Sequence, residues 1–323
     1  MAKKVQKKAV NKTTSFGKFI KWFWLLFLLG IICIAMPFVL ASMGVLGEMP
    51  DHTILENPKT DLASEIISND NKTLGKFYFD DNRTPVTYND LSKHLVDNLV
   101  ATEDERFYEH SGIDFRRTFT AIAQMGRKGG GSTITQQLAK LLFHQKEGRG
   151  SLINRMSQKF KEYIIATRLE RQYTKQEIIA MYYNIYDFGN NGDGIRSATR
   201  IYFGKEPKDV SLEEAAVLVG MFKNSSLYDP INNPVGVRNR RNVVYKQMNR
   251  NELITEEQKD SLQKLPLKLN FTPENHNAGL ATYFREHLKK EMKSWIKDNP
   301  KNKEGDKFNL YNDGLKIYVT IDS

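Results

Sequence analysis

From Trp22 to Gly47 the chain carries no charged residue, and that run constrains its architecture more than any other feature. The run is rich in Leu, Ile, Phe and Met, and it exceeds the roughly 20 residues an α-helix needs to cross a bilayer's hydrocarbon core. It is expected to be a transmembrane helix. Pro37 would kink it or mark its outer third, and Trp22 and Trp24 would sit in an aromatic interface belt. Lys3, Lys4, Lys7, Lys8, Lys12, Lys18 and Lys21 precede it with no acidic residue among them. That bias assigns the tail to the cytoplasm and everything after Glu48 to the outside. The competing reading is a cleaved signal peptide. Its apolar core of about 7 to 15 residues is shorter than this run, and no convincing small-x-small site follows. The one cysteine, Cys33, falls inside the span, so the external part has no disulfide and no thiolate chemistry.

Those seven lysines account for most of the net charge of +10, so the rest of the chain is only mildly basic and no nucleic-acid partner is expected. Residues 48–85 mix short apolar pieces with turn formers. They read as a membrane-proximal pedestal with a strand or two and turns at Asn69 to Asn71 and Asp80 to Asn82. Residues 86–250 change character, with apolar residues recurring at spacings of three and four, as in a mostly α-helical domain. Thr174 with Glu177, and Ser211 with Glu214, each have the spacing of a capping box that opens a helix. Residues 251–323 turn charged and linker-like before a strand-like GLKIYVTID.

Two segments carry more chemistry than a helix surface requires. In the first, Glu103, Asp104, Glu105, Glu109, His110, Arg116 and Arg117 surround apolar Phe107, Ile113, Phe115 and Phe119. Taken alone, Glu103 reads as an exposed helix-surface acid and His110 as a packed or capping histidine. In the second, Gly129 to Lys140, glycines precede Ser132, a natural N-cap. The helix that follows would align Thr133, Gln136 or Gln137, and Lys140 on a polar face, with Ile134, Leu138 and Leu142 opposite. Free N–H groups at such a helix start favour an anion. A flexible hinge with an amphipathic helix fits this segment as well, and the spacing is not that of a Walker motif. Further on, Arg155, Lys159 and Glu162 share a helix face beside Gln158, which is either a solvated salt-bridged face or part of the same chemistry. Neither structural-zinc spacing nor a GxSxG elbow is present.

In this order, the segments resemble the peptidoglycan glycosyltransferase domain of class A penicillin-binding proteins, glycosyltransferase family 51, over about Asn89 to Met248. The first motif, ED-x-x-F-x-x-H-x-G, is Glu103, Asp104, Phe107, His110 and Gly112; the second runs from Gly130 to Lys140. The third, RK-x-x-E, falls on Gln158, Lys159 and Glu162. The fourth, K-x-EI-x-x-x-YLN, is Lys175 to Asn184, and the fifth lies from Arg241 to Met248. Gln158 departs from the family's arginine, and Arg155 one turn earlier is the candidate for the missing charge.

The resemblance implies a lysozyme-like, mostly α-helical glycosyltransferase domain that polymerises lipid II into β-1,4-linked glycan with inversion and release of undecaprenyl pyrophosphate. It implies Glu103 as general base, and Lys140 and Lys159 as cations where pyrophosphate charge grows. Ser132, Thr133, Gln136 and Gln137, with Asp104 and His110, would position the substrate. Glu162 would hold the donor-site network or a divalent metal, Mg or Mn, with no tightly bound cofactor expected. Partners implied are lipid II, the growing strand, inner-membrane lipid, cell-wall synthesis proteins and the inhibitor moenomycin. Rival readings are a lysozyme-like hydrolase or lytic transglycosylase, and a silent anchored scaffold. Ser261 to Lys264 spells SxxK, but no Lys-Thr-Gly or Lys-Ser-Gly follows, so the chain is expected to be the N-terminal part of a bifunctional enzyme without its transpeptidase domain.

Overall fold

The computed structural model describes residues 13–44, 62–78, 83–123, 131–143, 152–272, 282–299, 307–311 and 313–323. The expected turn at Asp80 to Asn82 falls outside them. The chain divides into two compact units: residues 1–50 with 148–164, and residues 51–147 with 165–323.

In the first unit, α1 (Thr13–Ser42) is a 30-residue helix. Its stretch from Phe16 to Leu40 is long and apolar enough to cross a membrane. Trp22, Phe23, Trp24 and Phe27 all stand more than half exposed, as they would on a helix whose solvent is lipid. A 25-residue helical stretch is about 37 Å long at about 1.5 Å per residue, more than the hydrocarbon thickness of about 30 Å. Near its end, the Phe38 ring packs edge-on against Phe160, with centroids 4.9 Å apart. Phe160 belongs to α5 (Leu152–Gln172), whose first part completes this unit.

The second unit holds a helical body and a small sheet. The body comprises α2 (Lys93–Glu103), α3 (Phe115–Ala123), α4 (Ile134–Phe143), the end of α5, α6 (Lys175–Ile185), α7 (Gly194–Phe203), α8 (Leu212–Met221), α9 (Pro234–Arg250) and α10 (Glu256–Lys264). The two capping boxes read from the sequence are formed. The Glu177 N–H donates to Thr174 Oγ1 at 3.3 Å while the Thr174 N–H donates to the Glu177 carboxylate at 2.7 Å. Ser211 and Glu214 make the same exchange at 3.3 and 2.9 Å. α8 is buried along its whole apolar length, Ala215 to Met221, and packs between α2 and α9. Leu95, Leu99, Phe107, Ile134, Leu138, Ile178 and Leu218 are fully buried in this body.

The sheet has the order β2–β1–β3. β1 (Ser64–Ile67) and β2 (Thr73–Phe77) form an antiparallel hairpin, closed by a turn in which Asn71 takes a φ of 59°. β3 (Lys316–Tyr318) joins β1 in parallel, with Ile66 opposite Ile317. α11 (Thr282–Asp298) contributes Ile296 to a cluster with Ile66, Leu74, Phe77, Leu310 and Ile317. The C-terminal stretch read as a linker therefore supplies a strand and a helix to the pedestal. An isolated two-stranded hairpin is marginal in water, and the added strand and helix complete its apolar cluster.

Candidate active site

Glu103 is the last residue of α2, a helix opened by Ser92, whose Oγ accepts the Leu95 N–H at 3.2 Å. The chain then turns sharply at Asp104 (φ −157°, ψ 76°), which points one carboxylate inward and leaves the other at the surface. Asp104 is fully buried. His110 Nε2 lies 3.1 Å from both of its oxygens, the Ile134 N–H donates to Oδ2 at 3.0 Å, and Arg117 Nη1 stands 3.9 Å from Oδ1.

The N-terminus of α4 thus has an anion of the protein's own beside it, the Asp104 carboxylate. The cap is also one residue later than expected. Gln136 N–H donates to Thr133 Oγ1 at 3.2 Å, making Thr133 rather than Ser132 the capping residue. Thr133 Oγ1 and Gln136 Nε2 both donate to the Gly112 carbonyl, at 2.7 and 3.1 Å. Both side chains are fully buried. Asp104, His110, Thr133 and Gln136, expected to position the substrate, hold the loop after α2 against α4. Gly112 has a φ of +87°, and a Cβ there would come within 2.9 Å of the Ala166 backbone on α5, so the loop passes too close for any side chain.

Lys175, from the fourth motif, locks the same loop. Its Nζ donates to the His110 carbonyl at 2.6 Å and to Glu170 at 2.8 Å, and it sits 4.2 Å above the buried Phe107 ring. Asn184 of that motif donates to the Val86 carbonyl at 2.8 Å and accepts its N–H at 3.0 Å, pinning the segment before α2.

The Glu103 side chain remains 16% exposed. Gln137 Nε2 donates to its Oε2 at 2.9 Å, and Arg240 Nη2 lies 3.7 Å from Oε1. Arg117 Nη1 donates to the Glu103 main-chain carbonyl at 2.6 Å. Behind Gln137, the Tyr182 hydroxyl donates to its Oε1 at 2.8 Å. Burial, reinforced by the nearby Glu103 charge, pushes the Tyr182 phenol well above its ordinary value of 10. Tyr182 therefore keeps the proton it donates, and together with the accepting Glu103 carboxylate it sets the Gln137 amide with its oxygen toward Tyr182 and its NH₂ toward Glu103.

In the first unit, Arg155, Gln158, Lys159 and Glu162 follow one another along α5. Lys159 Nζ donates to Glu162 Oε2 at 2.6 Å and lies 5.7 Å above the Tyr163 ring. Arg155 is exposed, and Gln158 is half-buried. In the second unit, Lys140 is exposed in the last turn of α4, and Ser132 precedes that helix, partly buried. Among the described residues no three His, Cys, Asp or Glu side chains converge as metal ligands.

The match to a family model is decisive: residues 70–249 fit the model described as transglycosylase. The chain belongs to the transglycosylase family. This transglycosylase is similar to penicillin-binding protein 2a of Streptococcus pneumoniae, with 42% identity over 165 residues, covering 51% of this chain and 22% of that protein. It is also similar to penicillin-binding protein 1A of Escherichia coli, 32% identical over 316 residues (94% of this chain, 34% of the relative). Penicillin-binding protein 1F of Bacillus subtilis is 34% identical over 262 residues (78% and 35%). The chain thus spans about a fifth to a third of the length of these relatives.

Sequence reasoning missed two residues around Glu103 in this transglycosylase. Tyr182 lies within the fourth motif but had no role assigned. The fifth motif was begun at Arg241, which is 1% exposed and donates to the Leu265 and Pro266 carbonyls, whereas its neighbour Arg240 reaches Glu103. Their adjacency in α9 was legible; which of two arginines faces the carboxylate was not.

Proposed function

We propose that this chain is a peptidoglycan glycosyltransferase that polymerises lipid II into β-1,4-linked glycan strands, releasing undecaprenyl pyrophosphate. The observation that carries the reading is Glu103 itself. It is a surface carboxylate held by Gln137 and Arg240 while the adjacent Asp104 is spent on the fold. A fixed, partly exposed carboxylate suits a general base that takes the proton of a sugar hydroxyl as that oxygen attacks an anomeric carbon. The cations Lys140, Lys159 and Arg155 are assigned to the departing pyrophosphate, where fixed positive charge lowers the barrier most. Ser132 remains the candidate for direct contact with sugar or phosphate oxygens, while Gln137, whose amide bonds Glu103 at one end and Tyr182 at the other, is assigned to holding the base. A hydrolase of finished glycan meets no pyrophosphate, so membership of the transglycosylase family favours synthesis over cleavage and over a silent scaffold.

Glu162 is assigned to holding Lys159 in place. With one oxygen already bonded to that ammonium and no converging acids among the described residues, it does not fit a protein-held divalent cation, and no step is routed through one. The apolar helix α1 fits membrane attachment. The reading extends to a single-pass anchor in the inner membrane with a cytoplasmic lysine tail and the enzyme on the periplasmic side, where lipid II is presented. Moenomycin is the expected inhibitor, and cell-wall synthesis proteins are the expected partners.

The test is incubation of detergent-solubilised protein and its Glu103→Gln variant with labelled lipid II, resolving the products by gel. Muramidase-sensitive polymer from the native protein alone is expected. Polymer from both removes Glu103 as the base, and shortening of added strands by the native protein replaces synthesis with cleavage.

A further inference from the structure

Three side chains from three helices stand in line behind the proposed base. Tyr182 of α6 donates to Gln137 of α4 at 2.8 Å, and Gln137 donates to Glu103 of α2 at 2.9 Å. Tyr182 is 1% exposed, so it cannot itself meet a sugar or a phosphate. Its ring stacks on Phe222 at 4.6 Å, and Phe222 in turn contacts Tyr183, Tyr186 and Phe188, which leaves the hydroxyl little freedom to move.

An amide between a hydroxyl and a carboxylate can face either way. With its oxygen toward Glu103 it would repel the carboxylate; with its NH₂ there it anchors Oε2. The carboxylate, which only accepts, favours the second orientation, and the Tyr182 hydroxyl holds it by donating to the amide oxygen at 2.8 Å. Oε2 is then occupied, and Oε1, beside Arg240, is the oxygen left for a substrate hydroxyl.

We infer that Tyr182 is a positioning residue for the transfer reaction, setting the Gln137 amide so that Glu103 is held by one oxygen and offers the other as the base. This rests on the reading of Glu103 as the base of a glycosyltransferase. Tyr182 is buried and sits behind Gln137, so the device acts through the base and not through contact with substrate. It acts on the chemical step, where a small misplacement of the base is costly.

The test is a double-mutant cycle on the full chain in detergent, with lipid II as substrate. Tyr182→Phe keeps the ring stacked on Phe222 and removes the hydroxyl; Gln137→Met keeps the volume and removes the amide. Each is expected to lower kcat about tenfold with KM for lipid II changed less than about twofold. The double variant should be no slower than Gln137→Met, since Tyr182 has then nothing to orient. Losses that multiply in the double variant overturn the proposal. So does a rise in KM with kcat unchanged.

A second readout needs no turnover. In protein labelled with ¹⁵N at glutamine side chains, the Gln137 NH₂ signals are those absent from Gln137→Met. They should shift both in Tyr182→Phe and in Glu103→Gln. Signals unmoved by Tyr182→Phe overturn the relay whatever the enzyme does with lipid II. Shifting signals in a protein that never makes polymer overturn the glycosyltransferase reading and leave the relay standing.

Discussion

Arg240 Nη2 lies 3.7 Å from Glu103 Oε1, while Arg241, the next residue in α9, turns the other way and bonds the Leu265 and Pro266 carbonyls. Neighbouring residues in a helix point about 100° apart, so two identical side chains serve different ends. Arg240→Gln is expected to lower kcat/KM about tenfold and, because Arg240 Nε also donates to the Gly220 carbonyl at 3.3 Å, to cost only about 1 kcal/mol of stability. Arg241→Met leaves two main-chain carbonyls without their donors and should cost about 2–3 kcal/mol of stability. Thermal melts beside lipid II polymerisation rates separate the two, and the reverse pattern would reject the assignment.

Asp104 differs from Glu103 by burial rather than chemistry. Asp104→Asn keeps the shape but removes the charge that His110, Arg117 and the start of α4 converge on. A loss of about 1–3 kcal/mol in denaturant unfolding is expected. An unchanged unfolding midpoint with abolished activity would return Asp104 to the groups that position substrate.

Gly112 allows the loop after α2 to cross α5. Gly112→Ala meets the Ala166 backbone at 2.9 Å and adds a left-handed penalty, so at least about 2 kcal/mol of destabilisation is expected. A melting temperature equal to that of the native chain would show that the crossing can open.

Arg155 is exposed one turn before Gln158 on α5. If it supplies the cation that Gln158 does not, Arg155→Ala should lower kcat/KM for lipid II about tenfold, and Gln158→Arg in that background should restore it. Full activity in Arg155→Ala ends this assignment.

Glu206 ties α7 to the rest of its unit: Arg196 Nε and Arg200 Nε donate to it at 2.8 and 2.7 Å, and the same two guanidiniums approach Glu65 of β1. Burial pushes its carboxyl up, but Arg200 and Arg196 outweigh that and hold it below its ordinary value of 4.5. A lowered folded value means the contribution is present above the unfolded value and lost as pH falls through the folded one. The difference in melting temperature between the native chain and Glu206→Gln should therefore be full at pH 7 and shrink on acidification below about 4.5. A difference that grows in acid would reverse the sign of this linkage.

The apolar run of α1, the helical spacing from α2 to α9 and both capping boxes were legible in the sequence because each depends on residues a few positions apart. Family resemblance was legible for the same reason, since its motifs are local strings. The sequence could also name a set of polar residues around Glu103. It could not say that Asp104, Thr133 and Gln136 are buried and bonded to the segments around them, because burial depends on which segments meet. Nor could it pair β3 with β1, more than 240 residues apart, or choose Arg240 over Arg241. Local periodicity determined the elements of this protein; long-range packing decided which of its carboxylates is left facing solvent, because each carboxylate taken into the interior had to find its donors there.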